Sequence, residues 1–220
     1  MSWQVCFIPG LGVDERMFAY LTLAPEIKPT IIHWIAPLPN EKLDHYAGRL
    51  LPQVPKTDKL ILLGVSFGGI LVIELAKLLK PALVIIISSI KSRRELPWYY
   101  KPAAPLRLAY LLPIQWGKYL YFLQDYIFGV KTNPEKRLLR QLIRDMDMLF
   151  VRWALTRIAG WSNITLIPNL IHLHGTHDKL FPIRYLRNFT PVPSGEHLMV
   201  VTQGAYISEL INQEIYRLKL

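Results

Sequence analysis

The sequence predicts an α/β protein with a mostly parallel, doubly wound sheet and one all-helical insertion. Short apolar runs typical of buried strands alternate with helical segments up to Ile90. The alternation stops over residues 91–162, where no run is typical of a strand and aromatic residues and prolines are frequent. It returns at Asn169. We therefore expect one compact domain built from residues 1–90 and 163–220, with residues 91–162 inserted between its two parts.

The composition limits the possible partners and location. The net charge is +10, and residues 91–162 hold thirteen basic and five acidic side chains, or +8 of this total. Such a charge suits nucleic acid, an anionic membrane or an acidic protein, but no nucleic-acid recognition motif is found and no nucleic-acid partner is expected. The single cysteine, Cys6, is predicted to be a small core residue. Because the sequence has neither a signal-peptide pattern nor a charge-free window of about twenty residues, we expect a cytoplasmic protein.

Two strands and two helices are predicted before residue 55. They are a strand over residues 3–9, a helix over 15–23, a strand over 30–36 and a helix over 41–54. Asp14 and Asn40 are the predicted N-caps of the two helices. His33 lies within the second predicted strand and is interpreted as a core or edge histidine, whereas His45 is expected on a solvated helix face.

Residues 64–69 (Gly-Val-Ser-Phe-Gly-Gly) join a predicted buried strand over residues 59–63 to a helix that starts near Ile70. A strand that turns directly into a helix holds its central residue in a strained conformation, and the glycines at 64 and 68 avoid Cβ clashes there. Ser66 would then present its hydroxyl at the positive end of the helix. The pattern G-x-S-x-G is short, so its meaning depends on the residues that follow it.

The remaining elements follow the same pattern on either side of the insertion. Pro81 ends the helix, and residues 82–89 are the next predicted strand. Within the insertion, Asn133 is the predicted cap of a helix with Pro134 in its first turn. One apolar stripe at helical spacing follows, formed by Leu139, Leu142, Ile143, Met146, Leu149, Phe150 and Trp153. After the insertion we predict a strand over residues 169–174, a short helix over 184–187, a strand over 189–193 and a helix over 199–218.

Three side chains follow the ends of predicted strands in the order Ser66, Asp178, His197. Because the carboxyl ends of parallel strands meet at one edge of the sheet, we expect these side chains to lie together. A serine hydroxyl becomes a nucleophile when a base takes its proton and a third group orients that base. Two alternatives remain open: His177 could be the base, and Glu196 could replace Asp178 as the acid.

With these residues the sequence resembles the α/β-hydrolase superfamily. The matching parts are Pro-Gly-Leu-Gly at residues 9–12, Gly-Val-Ser-Phe-Gly-Gly at 64–69, Gly-Thr-His-Asp at 175–178 with Pro182, and Gly-Glu-His at 195–197. The resemblance implies the α/β-hydrolase fold, with Ser66 as nucleophile, Asp178 as the acid that orients His197, and residues 91–162 as a lid. It also implies an oxyanion hole formed by the backbone N–H groups of Leu11 and Phe67.

One departure concerns the first loop, where members often carry His-Gly and this chain has Pro9-Gly10. No cofactor is expected, because Glu15 replaces the third glycine of a dinucleotide fingerprint, and the histidines lack metal-ligand spacing.

The resemblance implies a serine esterase or thioesterase that works through an acyl-enzyme. The aromatic and leucine-rich insertion suits a small-molecule ester or thioester with an apolar acyl or aromatic group, although a helical lid must bury an apolar face in any case. Its charge of +8 could attract an acidic carrier protein or an anionic surface, or could simply be solvated. A slow, ligand-binding member of the same fold and a lyase or carbon–carbon bond hydrolase with the same triad remain alternatives.

Overall fold

Six parallel strands form one sheet in the computed structural model, which describes residues 3–103 and 120–218. The strands are β1 (Trp3–Ile8), β2 (Ile27–Ile31), β3 (Leu60–Val65), β4 (Leu83–Ile87), β5 (Leu170–Gly175) and β6 (Thr190–Val192). Their order is β2-β1-β3-β4-β5-β6, and every neighbouring pair is parallel, which confirms the predicted sheet. The chain leaves β1 to one side and returns to β3 on the other. Ligands of open α/β sheets bind at such a reversal of strand order.

Helices cover both faces of the sheet. They are α1 (Leu43–Leu50), α2 (Phe67–Leu79), α3 (Tyr121–Phe128), α4 (Asn133–Asp145), α5 (Met148–Gly160), α6 (Met199–Thr202) and α7 (Gly204–Arg217). One buried apolar cluster contains side chains of α1, α2 and α5, and the other contains side chains of α4, α6 and α7. Strand β3 contributes Leu62 to the first cluster and Ile61 to the second. Alternate residues of a strand point to opposite faces, so β3 is buried on both sides, as its continuous apolar sequence predicts.

The second strand lies earlier in the chain than predicted. It covers Ile27–Ile31 rather than residues 30–36, and Pro29 is within it, opposite Val5. A proline lacks the N–H group that a central strand needs. It is tolerated in β2 because this strand is at the edge of the sheet and has a neighbouring strand on one side. His33 therefore follows the strand and is exposed, so its interpretation as a core or edge histidine was wrong.

The predicted helix caps are only partly correct. Asp14 accepts a hydrogen bond from Arg16 N at 3.1 Å, as an N-cap does, but the helix that follows is a short 3-10 turn over Glu15–Phe18 rather than 15–23. Asn40 does not cap α1, because its φ is 58° and the helix begins at Leu43. Asparagine adopts this left-handed conformation more readily than most residues, which suits a turn better than a cap. His45 is exposed on α1, as predicted.

The apolar stripe predicted for the insertion is divided between two helices. Met146 leaves the helical conformation, and Asp147 accepts hydrogen bonds from Leu149 N and Phe150 N as the cap of a new helix, α5. Leu149 is consequently exposed, at 74% of its surface. The cap of α4 is Thr132 rather than Asn133, because Thr132 and Glu135 form a reciprocal capping box. Residues 104–119 of the predicted insertion lie outside the described residues.

The last predicted helix also has a break. Residues 199–218 form α6 and α7, and Gly204 begins the second of them. A Cβ atom at Gly204 would overlap the carbonyl oxygen of Tyr20, so only glycine allows the chain to pass this close. The short helix predicted over 184–187 is a 3-10 turn over Ile183–Tyr185. Among the helices of residues 3–103 and 120–218, none has the length and apolarity needed to cross a membrane. The cytoplasmic location stays a prediction.

Candidate active site

Ser66 lies at a sharp turn between β3 and α2. Its φ of 54° and ψ of −118° are unusual for a residue with a side chain, and such a conformation costs about 1–3 kcal/mol. The turn is held by Ser66 N, which donates to Ile87 O at 2.9 Å, and by Ser66 O, which accepts from Ser89 Oγ at 2.7 Å. A Cβ atom at Gly68 would overlap the carbonyl oxygens of Ile8 and Pro9. The glycine therefore lets the strained turn sit against the end of β1.

A chain of hydrogen bonds connects Ser66, His197 and Asp178. His197 Nε2 lies 2.9 Å from Ser66 Oγ, and His197 Nδ1 lies 2.8 Å from Asp178 Oδ2. Because the carboxylate can only accept, Nδ1 carries the imidazole proton, and Nε2 is free to accept the hydroxyl proton of Ser66. His197 and Asp178 are both buried, at 4% exposure. The structure thus brings together the three side chains that the sequence order predicts.

The surroundings of Asp178 keep its carboxyl group ionised. Burial alone would raise the pKa of Asp178, but the neighbouring His197 and the hydrogen bonds to the carboxylate outweigh it, and the pKa lies below its usual value. Oδ1 accepts from the backbone N–H groups of Leu180 at 2.8 Å and Phe181 at 2.9 Å. The turn over residues 178–181 therefore fixes the carboxylate, and Oδ2 is directed at His197.

One predicted oxyanion donor belongs to the residue after Ser66, and the other belongs to the loop that follows β1. Phe67 is the first residue of α2, where the backbone N–H has no acceptor within the helix. Leu11 lines the same cavity as Ser66. The preceding residue, Gly10, uses its own N–H on Met17 Sδ at 3.1 Å, and a Cβ atom built on it would be 3.8 Å from Ser66 Cβ. The first loop therefore runs directly beside the serine.

Neither alternative residue contacts the hydrogen-bond chain. His177 is exposed, and its backbone N–H donates to Gly195 O at 2.8 Å. Glu196 forms an ion pair with Lys179 instead of binding His197. Sequence reasoning did not assign a role to Phe181, whose ring packs against the His197 ring with 5.8 Å between their centroids. Its only signal in the sequence is its place three residues after Asp178.

An apolar cavity of about 310 Å³ contains Ser66 and His197. This volume is at the lower end of the range for small-molecule sites. Side chains of the insertion line it, among them Phe128 of α3, three residues of α4 and Leu155 and Ile158 of α5; the α4 residues are Leu139, Leu142 and Ile143. Among the described residues, no group of three or more histidine, cysteine, aspartate or glutamate side chains could hold a metal ion. The cavity therefore offers apolar contacts around one nucleophile and base.

A second cavity, of about 500 Å³, is more polar and is lined by Lys42, Glu74 and Arg157 among others. None of the predicted site residues lines it. Two carboxylates, Asp44 and Glu74, line it, and Glu74 is already paired with Lys77 at 2.5 Å and accepts from Trp161 Nε1 at 2.8 Å. The smaller apolar cavity is therefore the candidate active site.

Comparisons with known proteins identify similar structures but no similar sequence. No family model and no curated protein matches the chain. A hydrolase from Pseudomonas aeruginosa has a TM-score of 0.74 at 12% identity, over 97% of this chain and 90% of that one. A thermophilic esterase from Thermogutta terrifontis has a TM-score of 0.71 at 16% identity, over 99% and 91% of the two chains. A bromoperoxidase from Bacillus anthracis has a TM-score of 0.70 at 14% identity, over 98% and 92%. At these identities the similarity establishes the fold.

Proposed function

We propose that this chain, which has the α/β-hydrolase fold, is a serine hydrolase that cleaves a carboxylic ester or thioester. The observation that carries the proposal is the hydrogen-bond chain from Ser66 Oγ through His197 to Asp178, with distances of 2.9 and 2.8 Å. Both distances are in the range that proton transfer requires. Ser66 and His197 line an apolar cavity, where a substrate would be shielded from water.

In the proposed mechanism Ser66 is the nucleophile and His197 is the general base. Ser66 Oγ attacks the substrate carbonyl carbon while its proton passes to His197 Nε2. The resulting imidazolium is stabilised by ionised Asp178 and gives its proton to the departing alcohol or thiol. A water molecule then loses a proton to His197 and attacks the acyl carbon. As the bond between this carbon and Ser66 Oγ breaks, His197 returns the proton to Oγ and the acid is released.

The proposed oxyanion hole consists of the N–H groups of Phe67 and Leu11. The N-terminus of α2 carries a partial positive charge, which favours the negative oxygen of the tetrahedral intermediate. Each donor in such a hole contributes about 2.7–4 kcal/mol to the transition state. Support for Leu11 comes from the first loop, where Gly10 lies against Ser66 and Leu11 lines the cavity.

We propose that residues 91–162 act as a lid that forms much of the acyl site. The support is that α3, α4 and α5 all line the cavity that contains Ser66. Leucine, isoleucine, methionine and phenylalanine dominate this lining, so the acyl or aromatic group of the substrate would be apolar. Apart from Ser66 and His197, the polar side chains that line the cavity within residues 3–103 and 120–218 are Tyr100 and Gln124.

The basic charge of the insertion could recruit an acidic carrier protein or an anionic surface. Several of its basic groups are already paired in the part of the insertion that the structure describes: Lys136 and Arg140 contact Asp125 at 3.2 and 3.1 Å, and Lys91 contacts Glu95 at 3.5 Å. Electrostatic steering depends on ionic strength. If the remaining charge steers an acidic thioester, its kcat/KM should fall between about 20 and 500 mM salt, while that of an uncharged ester stays constant. Equal salt dependence for the two substrates would contradict steering.

The proposal is tested by labelling with a fluorophosphonate, which reacts with activated serines. We expect rapid labelling of the wild type and none of Ser66→Ala or His197→Ala. Ser162→Ala is the matched control, because this serine is exposed and outside the cavity that contains Ser66. Hydrolysis of p-nitrophenyl esters and acyl thioesters of increasing chain length then separates esterase from thioesterase activity. A folded wild type that is not labelled would contradict the proposal and favour a ligand-binding role.

A further inference from the structure

Two buried histidines lie next to the candidate site and have no part in the mechanism above. His172 and His174 are on the same face of β5, with 2% and 0% exposure. Histidine is seldom this deeply buried without a polar partner. His172 Nε2 lies 3.1 Å from His174 Nδ1, and His174 Nε2 lies 2.8 Å from Phe181 O. The pair therefore connects the interior of the sheet to the turn that carries Asp178.

The acceptors around His174 determine where its proton lies. Phe181 O can only accept, and so can the carboxylate of Asp178, whose Oδ2 is 3.4 Å from His174 Nε2. His174 Nε2 therefore carries the proton, and Nδ1 accepts from Nε2–H of His172. Burial also lowers the pKa of His174 to about 4, so that the ring is neutral near pH 7. His172 thus donates to His174, and His174 donates to the turn over residues 178–181, which we call the acid turn.

The same turn is thus held from two directions. Phe181 N donates to Asp178 Oδ1, while Phe181 O accepts from His174. Phe181 also places its ring against His197. If the bond to His174 were lost, Phe181 O would be left without this donor and the turn could rotate. Oδ2 of Asp178 would then move relative to His197 Nδ1.

We propose that His174 is a positioning residue, which holds the turn over residues 178–181 so that Asp178 Oδ2 faces His197. Its effect on rate rests on the function proposed above, but its effect on the His197–Asp178 hydrogen bond does not. His172 contacts the ring of His174 from behind and has no contact with the turn. The tautomer of His174 is fixed by Phe181 O and Asp178 even without His172.

Three variants test this role. His174→Leu removes the donor to Phe181 O, whereas His174→Gln keeps an N–H donor at about the position of Nε2. His172→Leu is the matched control, since it removes an imidazole of equal burial on the same strand that does not reach the turn. The readouts are kcat and KM for p-nitrophenyl butyrate, the rate of fluorophosphonate labelling, and the far-downfield proton resonance of His197 Nδ1–H. That resonance is assigned by its absence in His197→Ala.

We expect His174→Leu to lower kcat and the labelling rate about tenfold to a hundredfold with little change in KM, because a small displacement of a reacting group has effects of this size. The resonance should shift or broaden. His174→Gln should recover most of both, and His172→Leu should lose stability but keep its rate and its resonance.

The inference is overturned if His174→Leu keeps the wild-type resonance and reacts no more slowly than His172→Leu. A wild type without the resonance would also count against it, because the His197–Asp178 geometry would then be absent. If the wild type shows the resonance but is not labelled, the proposed function fails and the positioning role stands on the spectra alone.

Discussion

Asp178→Asn tests the hydrogen-bond chain through the identity of a single atom. Oδ1 accepts from Leu180 N and Phe181 N, at 2.8 and 2.9 Å. An asparagine would keep its carbonyl oxygen at this position, because an NH₂ group there would face two donors. The NH₂ group would then replace Oδ2, 2.8 Å from His197 Nδ1. His197 would have to carry its proton on Nε2, and this nitrogen could no longer take the proton of Ser66.

The size of the effect follows from this change of tautomer. In the Ser-His-Asp template, the corresponding substitution lowers kcat about 10⁴-fold. His174 Nε2, 3.4 Å from Oδ2, would also face the new NH₂ group, but it opposes the two backbone donors with only one. We therefore expect kcat to fall about 10³- to 10⁴-fold, which corresponds to about 4–5.5 kcal/mol. The KM should change little, because Asp178 does not line the cavity.

The assay is the hydrolysis of p-nitrophenyl butyrate at pH 7 to 8, with circular dichroism and the melting temperature as checks on folding. Glu196→Gln is the matched control, because it removes the carboxylate next to His197 in the sequence, which is paired with Lys179. We expect this variant to stay within about tenfold of the wild type, as an ion pair with partial exposure contributes little. A folded Asp178→Asn that keeps more than a tenth of the activity, or a greater loss in Glu196→Gln, would refute the reasoning.

Three further predictions concern packing, pH and substrate size. Gly68→Ala should lower the free energy of unfolding by about 3 kcal/mol or more, because its Cβ would overlap backbone oxygens. Gly48→Ala should raise it by about 0.5–1 kcal/mol, because nothing lies within 4 Å of the added Cβ. Thermal melting distinguishes the two variants. As the pH falls from about 6.5 to 4, the unfolded chain binds a proton on His174 and the folded chain does not. The free energy of unfolding should therefore fall by about 3 kcal/mol over this range, and by less in His174→Gln. Urea titrations at both pH values measure this difference. Leu155→Trp fills the cavity and should lower kcat/KM for a decanoyl ester about tenfold or more relative to a butyryl ester. Leu149→Trp, on the exposed face of α5, should not change this ratio. The same ratio in both variants would place the acyl group elsewhere.

The parts of the site that could be predicted from the sequence depend on local rules. The turn around Ser66 follows from the glycines at 64 and 68, because a Cβ atom at Gly64 would overlap the backbone of Gly68 within the same turn. The convergence of Asp178 and His197 follows from parallel strands, whose carboxyl ends share one edge of the sheet. Such rules need no knowledge of which residues are in contact across the chain.

Other features depend on contacts that no spacing reveals. The division of the insertion into α4 and α5 results from Asp147, which caps a new helix within an apolar pattern that continues on both sides. The position of β2 depends on its place at the sheet edge, where Pro29 is tolerated. The alternation of His172 and His174 is visible in the sequence, but their bond to Phe181 O needs the turn after β5 to fold back toward the strand.

His197 shows why the core and the insertion cannot be considered separately. Its imidazole is hydrogen-bonded to Asp178, and its ring contacts two phenylalanines, Phe181 of the turn over residues 178–181 and Phe128 of α3, each with 5.8 Å between centroids. The next residue, Leu198, donates its N–H to Phe128 O at 3.1 Å. Gly129 ends α3 with a φ of 75°, and a Cβ atom there would overlap the side chain of Glu196. The insertion therefore contacts the loop of His197 through backbone as well as side chains, and the orientation of His197 depends on both the acid turn and the end of α3.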